Sequence, residues 1–148
     1  MKSQNIINFL KPQIKHVLFP DGIEAVYLYG SAVKDRLRMD SDIDVAMLAS
    51  YHVDDLEILE LMSKVEAIFT LLLKKIDIRQ EISIFDMRSK YASIALQYKI
   101  ITEGIVLYTR DISQRLEFEN AVKREYFDFV PYLTNLRNRK HGNIFQKI

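Results

Sequence analysis

The 148 residues include no cysteine, only four glycines and three prolines, and no marked excess of either charge. Without cysteine there is no disulfide, no thiolate metal site and no cysteine nucleophile, and the chain suits a reducing compartment. With 21 basic and 20 acidic residues, a net charge of +1 gives no global attraction to nucleic acid or to an acidic membrane. No apolar run approaches the roughly 18 residues needed to cross a bilayer. Residues 1–10 lack the basic and long apolar segments of a signal peptide. These absences lead us to expect a soluble cytoplasmic protein that makes no direct contact with membrane or nucleic acid. No repeat, low-complexity stretch or linker divides the chain, so one domain over residues 1–148 is expected.

What is present is strongly patterned. Ile6, Ile7, Leu10, Ile14, Val17 and Leu18 follow helical spacing. Pro12 lies inside it, so either the helix kinks there or a second one begins. Phe19-Pro20-Asp21-Gly22 signals a turn. Residues 25–29, β-branched and aromatic, read as a strand. Residues 34–38 read as a helical turn and loop, and 42–48 as a second strand. Residues 54–75 read as a helix capped by Asp54 or Asp55, with its leucine-rich stripe as core. Alternation over 76–85 predicts a third strand, 89–103 a helix stopped by Gly104, 105–108 a short strand or extended segment, and 112–130 a last helix. The order predicts an α/β (α+β) domain: a small mixed sheet flanked by helices, with a C-terminal helix.

The stretch from Gly30 to Asp44 carries the chemistry. Asp42 and Asp44 stand two apart on a predicted strand, so both carboxylates face one side, roughly 7 Å apart. Unscreened, they repel; a divalent cation resolves the repulsion, and magnesium prefers carboxylate, phosphate and water oxygens. Gly30 lets the backbone approach a phosphate, Ser31 adds a hydroxyl donor, and the amides that follow can point at the same anion. Lys34, Arg36 and Arg38 supply nearby cations.

Taken together, a strand, Gly30-Ser31, ten residues, then Asp42-Ile43-Asp44 opening an apolar strand resemble the signature of polymerase-beta-like nucleotidyltransferases. Ser41-Asp42-Ile43-Asp44-Val45 resembles the minimal nucleotidyltransferases of prokaryotes. The segment from Thr102 to Tyr108, then Arg115-Leu116-Glu117-Phe118-Glu119 and Tyr126-Phe127-Asp128-Phe129, are similar to the MntA-type antitoxins among them. The resemblance implies a polymerase-beta-like fold, ATP as substrate and Mg2+ as cofactor. It places nucleotide binding at Gly30, Ser31, Lys34, Arg38 and Ser41, and the metal at Asp42 and Asp44. It also implies a partner, a HEPN-domain RNase toxin, silenced when AMP is transferred from ATP to its tyrosine hydroxyl.

Two departures bear on that implication. Ala32 stands where such proteins often have arginine, with Arg36 as a substitute cation, and Asp35 stands where they often have glycine. Ser83 matches the position of the usual third carboxylate. Asp77, Arg79, Glu81 and Ser83 alternate onto one predicted face, so Glu81 is assigned as third metal ligand and base, Asp77 second, with a site lacking the third carboxylate as the remaining reading. Two alternatives to the antitoxin enzyme follow: neutralisation by complex formation alone, or transfer to a small hydroxylated molecule. His16 reads as structural, His52 starts a loop, and His141 lies in the basic tail 136–142, so no metal-ligand spacing arises. The aromatics Phe118, Tyr126, Phe127, Phe129 and Tyr132 exceed what one small core needs, and residues 112–148 read as partner-binding.

Overall fold

The computed structural model describes residues 3–146, and their side chains except at Leu133 and 140–146. Its elements are α1 (Ser3–Ile14), β1 (Ile23–Tyr29), a 3-10 turn at Gly30–Ala32, β2 (Ile43–Ala49), α2 (Asp55–Lys74), β3 (Ile82–Asp86), α3 (Ile94–Glu103), β4 (Ile105–Thr109) and α4 (Ile112–Gln146). The strands form a mixed sheet in the order β3-β2-β1-β4. β1 is antiparallel to β2 and β4, and β2 is parallel to β3, with α2 as the crossover.

Alternation divides the sheet between two cores. Ile23, Val26 and Leu28 of β1 with Ile43, Val45 and Met47 of β2 pack on one face against α1 and α2. That face takes Ile6, Leu10 and Ile14 from α1 and Leu61, Val65, Phe69, Leu72 and Leu73 from α2, at the three- and four-residue spacing of a buried helical stripe. Ala25, Tyr27, Ala46 and Leu48 point to the opposite face, against Met87, Ile100 and Phe118. Tyr27 is fully buried there and donates its hydroxyl to Glu119 Oε2 of α4 at 3.1 Å, tying the last helix to the sheet.

Several boundaries differ from the sequence expectation. Helix α1 runs through Pro12 as one helix and ends at Ile14; Pro12 lies in its last turn and forgoes one hydrogen bond to the turn before it. Asp54 is the N-cap of α2, accepting from the Glu57 amide at 2.9 Å. The predicted third strand shrinks to Ile82–Asp86, because Asp77 turns the chain with φ 61 and pairs with Arg79 at 3.0 Å. Helix α3 starts five residues later than expected, capped by Ser93. Gly104 ends it with φ −77, outside the left-handed region; a Cβ there would collide with the Ile100 carbonyl oxygen and sit 3.1 Å from that of Leu28. Helix α4 continues past Pro131 instead of stopping at residue 130. Tyr98 of α3 stacks on Tyr126 of α4 at 3.8 Å, while Phe127, Tyr132 and Leu136 remain exposed. In the basic tail, Arg137 and Arg139 are exposed; the side chains of Lys140 and His141 lie outside the described residues. Among the described residues no helix is long and apolar enough to cross a membrane.

Candidate active site

The site lies where β1 ends and β2 begins. In the antiparallel pair Tyr29 is opposite Asp44, and in the parallel pair Asp44 is opposite Ser83. Ser83, Asp44 and Tyr29 therefore form one row across the sheet, on the face that carries α3. Asp42 is exposed and lies just before the first residue of β2, two positions from Asp44. The Ile43 amide donates to the Glu81 carbonyl at 2.8 Å, which sets the Glu81 backbone beside the start of β2, one residue before β3.

Gly30 makes the row possible. Its φ is 75, and a Cβ would collide with Asp44 Oδ2 and lie 3.2 Å from Asp44 Cγ. No side chain fits between the turn and the carboxylate, and a residue with a Cβ disfavours that backbone conformation. Burial, then the Asp42 charge, raises the Asp44 carboxyl above the ordinary carboxylate range. Burial and the Asp44 charge push the Tyr29 phenol up to about 12. Negative charge is thus concentrated at this end of the sheet, and cations must come from outside the row.

Lys34 is nearby but engaged, 3.5 Å from Glu103 Oε1 at the end of α3. Arg36 and Arg38 are exposed. Ser41 shapes the loop: its hydroxyl accepts from the Arg38 amide at 3.2 Å, and its amide donates to the Arg38 carbonyl at 3.1 Å. A cavity of about 100 Å³ lies beside Gly30, lined by Tyr29, Val33, Lys34, Leu96, Lys99 and Ile100 among others.

The carboxylate arrangement fits a divalent cation held by two protein carboxylates and completed by phosphate oxygens. Among the described residues no three His, Asp or Glu side chains gather closely enough to hold a metal alone. Asp77 lies outside β3, in a turn with positive φ, and pairs with Arg79. His52 lies beyond β2, at the end of the sheet remote from Asp44, beside Tyr51. His16 is exposed after α1 and holds no structural place in the core. Sequence reasoning missed Glu103 as partner of Lys34, and Tyr29 as neighbour of Asp44; no local pattern encodes a contact between a turn and a helix about 70 residues later.

The model of the family described as polymerase beta, nucleotidyltransferase matches residues 4–113, from α1 into the start of α4. The chain belongs to that family. The match takes in the Gly30-Ser31 turn, the Asp42-Ile43-Asp44 pair and β3, and so spans the row described above. Among solved structures, a chain of a toxin–antitoxin complex with AMP-PNP aligns with TM-score 0.56 and 22% identity, over 98% of this chain and 99% of that one. A chain of a mutant of the toxin–antitoxin pair MntA–HpeT gives 0.54 and 21%, over 98% and 99%. A chain of the complex between tri-AMPylated Shewanella oneidensis HEPN toxin and MNT antitoxin gives 0.50 and 22%, over 97% and 96%. At these identities the likeness is one of fold. No curated protein matches the sequence.

Proposed function

We propose that this nucleotidyltransferase is an antitoxin that binds ATP with Mg2+ and transfers AMP to a tyrosine hydroxyl of a HEPN-domain toxin. The observation that carries the reading is the row Ser83–Asp44–Tyr29, with Gly30 packed against the Asp44 carboxylate. Supporting it, the similar folds include a toxin–antitoxin complex with AMP-PNP and a complex containing an AMPylated HEPN toxin. Gly30, Ser31 and the amides after them hold the triphosphate, helped by Lys34, Arg38 and Ser41. Asp42 and Asp44 would hold the metal, which would polarise the phosphoryl oxygens and steady the leaving pyrophosphate. The tyrosine oxygen attacks the α-phosphorus, the bond to the β-phosphate oxygen breaks, and Glu81 accepts the phenolic proton. Residues 112–148, with exposed Phe127, Tyr132 and Leu136, form the partner-binding arm.

The test is to incubate the protein with a HEPN-domain toxin encoded beside it, magnesium and α-labelled ATP. Label on a toxin tyrosine that vanishes when Asp42 and Asp44 are both alanine supports the proposal. A tight complex without label would sink it. It would favour the second reading, neutralisation by binding alone, which rests on Ser83 standing in the row where a third carboxylate belongs.

The same position gives a quantitative prediction. Replacing Ser83 by Asp adds a carboxylate beside Asp44 and is expected to tighten Mg2+ binding about tenfold, since ligand charge sets such affinities. The concentration of magnesium giving half-maximal transfer reads this directly. Glu81→Gln weakens the dependence in the natural protein and matters much less once Asp occupies position 83. No effect of Glu81→Gln in the natural protein would remove Glu81 from the site.

A further inference from the structure

The turn that carries Ser31 is closed by a device that begins 28 residues earlier in the chain. The Arg36 amide donates to the Ser31 carbonyl at 3.0 Å and the Val33 amide to that of Gly30 at 3.1 Å. A six-residue closure of this kind requires the residue before the last to be left-handed, a place usually taken by glycine. Here it is Asp35, with φ 56. Aspartate enters that conformation less readily than glycine, so bonds that engage it there steady the turn.

The first residue of α1 engages it twice. The Ser3 amide donates to Asp35 Oδ1, and the Asp35 amide donates to Ser3 Oγ at 2.7 Å. Both bonds suit their partners. The Ser3 amide is among those at a helix start that find no acceptor within the helix, and a carboxylate is favoured at the positive end of the helix dipole. Ser3 is buried, and the helix behind it is anchored in the core through Ile6, Ile7, Leu10 and Ile14. The clamp thus joins the phosphate turn to a fixed element.

We propose that Ser3 is a positioning residue for nucleotide binding: by holding Asp35 left-handed, the start of α1 sets the shape of the turn that presents Ser31. The proposal rests on the reading of that turn as the triphosphate holder. Ser3 bonds Asp35 and stands outside the row of Ser83, Asp44 and Tyr29, so its loss is expected to raise the KM for ATP and leave kcat alone. Glycine at position 35 adopts the conformation freely and makes the clamp dispensable.

The experiment is a double-mutant cycle of Ser3→Ala with Asp35→Gly in the full chain. It reads ATP affinity by calorimetry and hydrogen exchange of the Arg36 amide in the free protein, with thermal melting to establish that each variant is folded. In the natural background Ser3→Ala is expected to raise the Kd for ATP and the Arg36 exchange rate about fivefold, the equivalent of one ordinary hydrogen bond. In the Asp35→Gly background the same change moves both by less than about twofold, a departure from additivity that marks the two residues as coupled. Equal effects in the two backgrounds, or none in the natural one, overturn the proposal. Should the unaltered protein take up no ATP, the nucleotide reading fails. Exchange at Arg36 then still decides the clamp: unchanged protection in Ser3→Ala overturns it.

Discussion

Asp44→Asn is expected to reduce AMP transfer at least about a hundredfold while making the free protein more stable at neutral pH. The first effect follows from the proposed metal site. A carboxylate that helps hold a divalent cation at a phosphoryl centre supports several kcal/mol of transition-state stabilisation, and each ~1.4 kcal/mol lost is a factor of ten. The second follows from the free protein, in which burial and the charge of Asp42 raise the Asp44 carboxyl. A carboxyl whose folded pKa lies above its unfolded value contributes stability below the unfolded pKa, and that contribution is lost as pH rises through the folded one. At neutral pH the ionised Asp44 therefore opposes folding, and a neutral amide of the same shape removes the opposition. Urea denaturation at pH 7 should show the variant unfolding later than the natural protein. At a pH low enough to protonate Asp44 in the natural protein, the difference should close. An unchanged midpoint at pH 7 would show that Asp44 is not electrostatically strained; unchanged transfer would remove it from the reaction.

Gly30→Ala carries the second large effect, and it acts on the fold and the site together. The backbone at φ 75 is unfavourable for alanine, and the new methyl meets the Asp44 carboxylate, 3.2 Å from its Cγ. The backbone conformation alone costs about 2 kcal/mol. Movement of Asp44 to relieve the collision breaks the row with Tyr29 and Ser83, so ATP affinity should fall by at least about tenfold, the equivalent of ~1.4 kcal/mol. The two contributions separate in the double variant Gly30→Ala/Asp44→Ala. Shortening the side chain at 44 relieves the collision and returns part of the stability; the share due to φ remains. A double variant no more stable than Gly30→Ala alone would show that the contact with Asp44 contributes nothing.

Much of this molecule is legible in the chain by itself. Strands β1 and β2, helices α2 and α4 and the mixed α/β order follow from local periodicity, because burying one face of a helix or strand imposes spacings of 3.6 or 2 residues. Gly30-Ser31 and Asp42-Ile43-Asp44 are legible for the same reason: glycine at a strand end and carboxylates two apart are local facts. Helix length past Pro131 was not legible, since proline is unfavourable in a helix interior without being forbidden there. Nor was the truncation of β3, where alternation of polar and apolar residues continued through a turn that Asp77 makes with positive φ. Tertiary structure alone decided that Ser83 lies beside Asp44, that Glu103 holds Lys34, and that Ser3 braces Asp35 across 32 positions. Those are contacts between segments distant in sequence, and no local spacing encodes a partner that only the fold brings within reach.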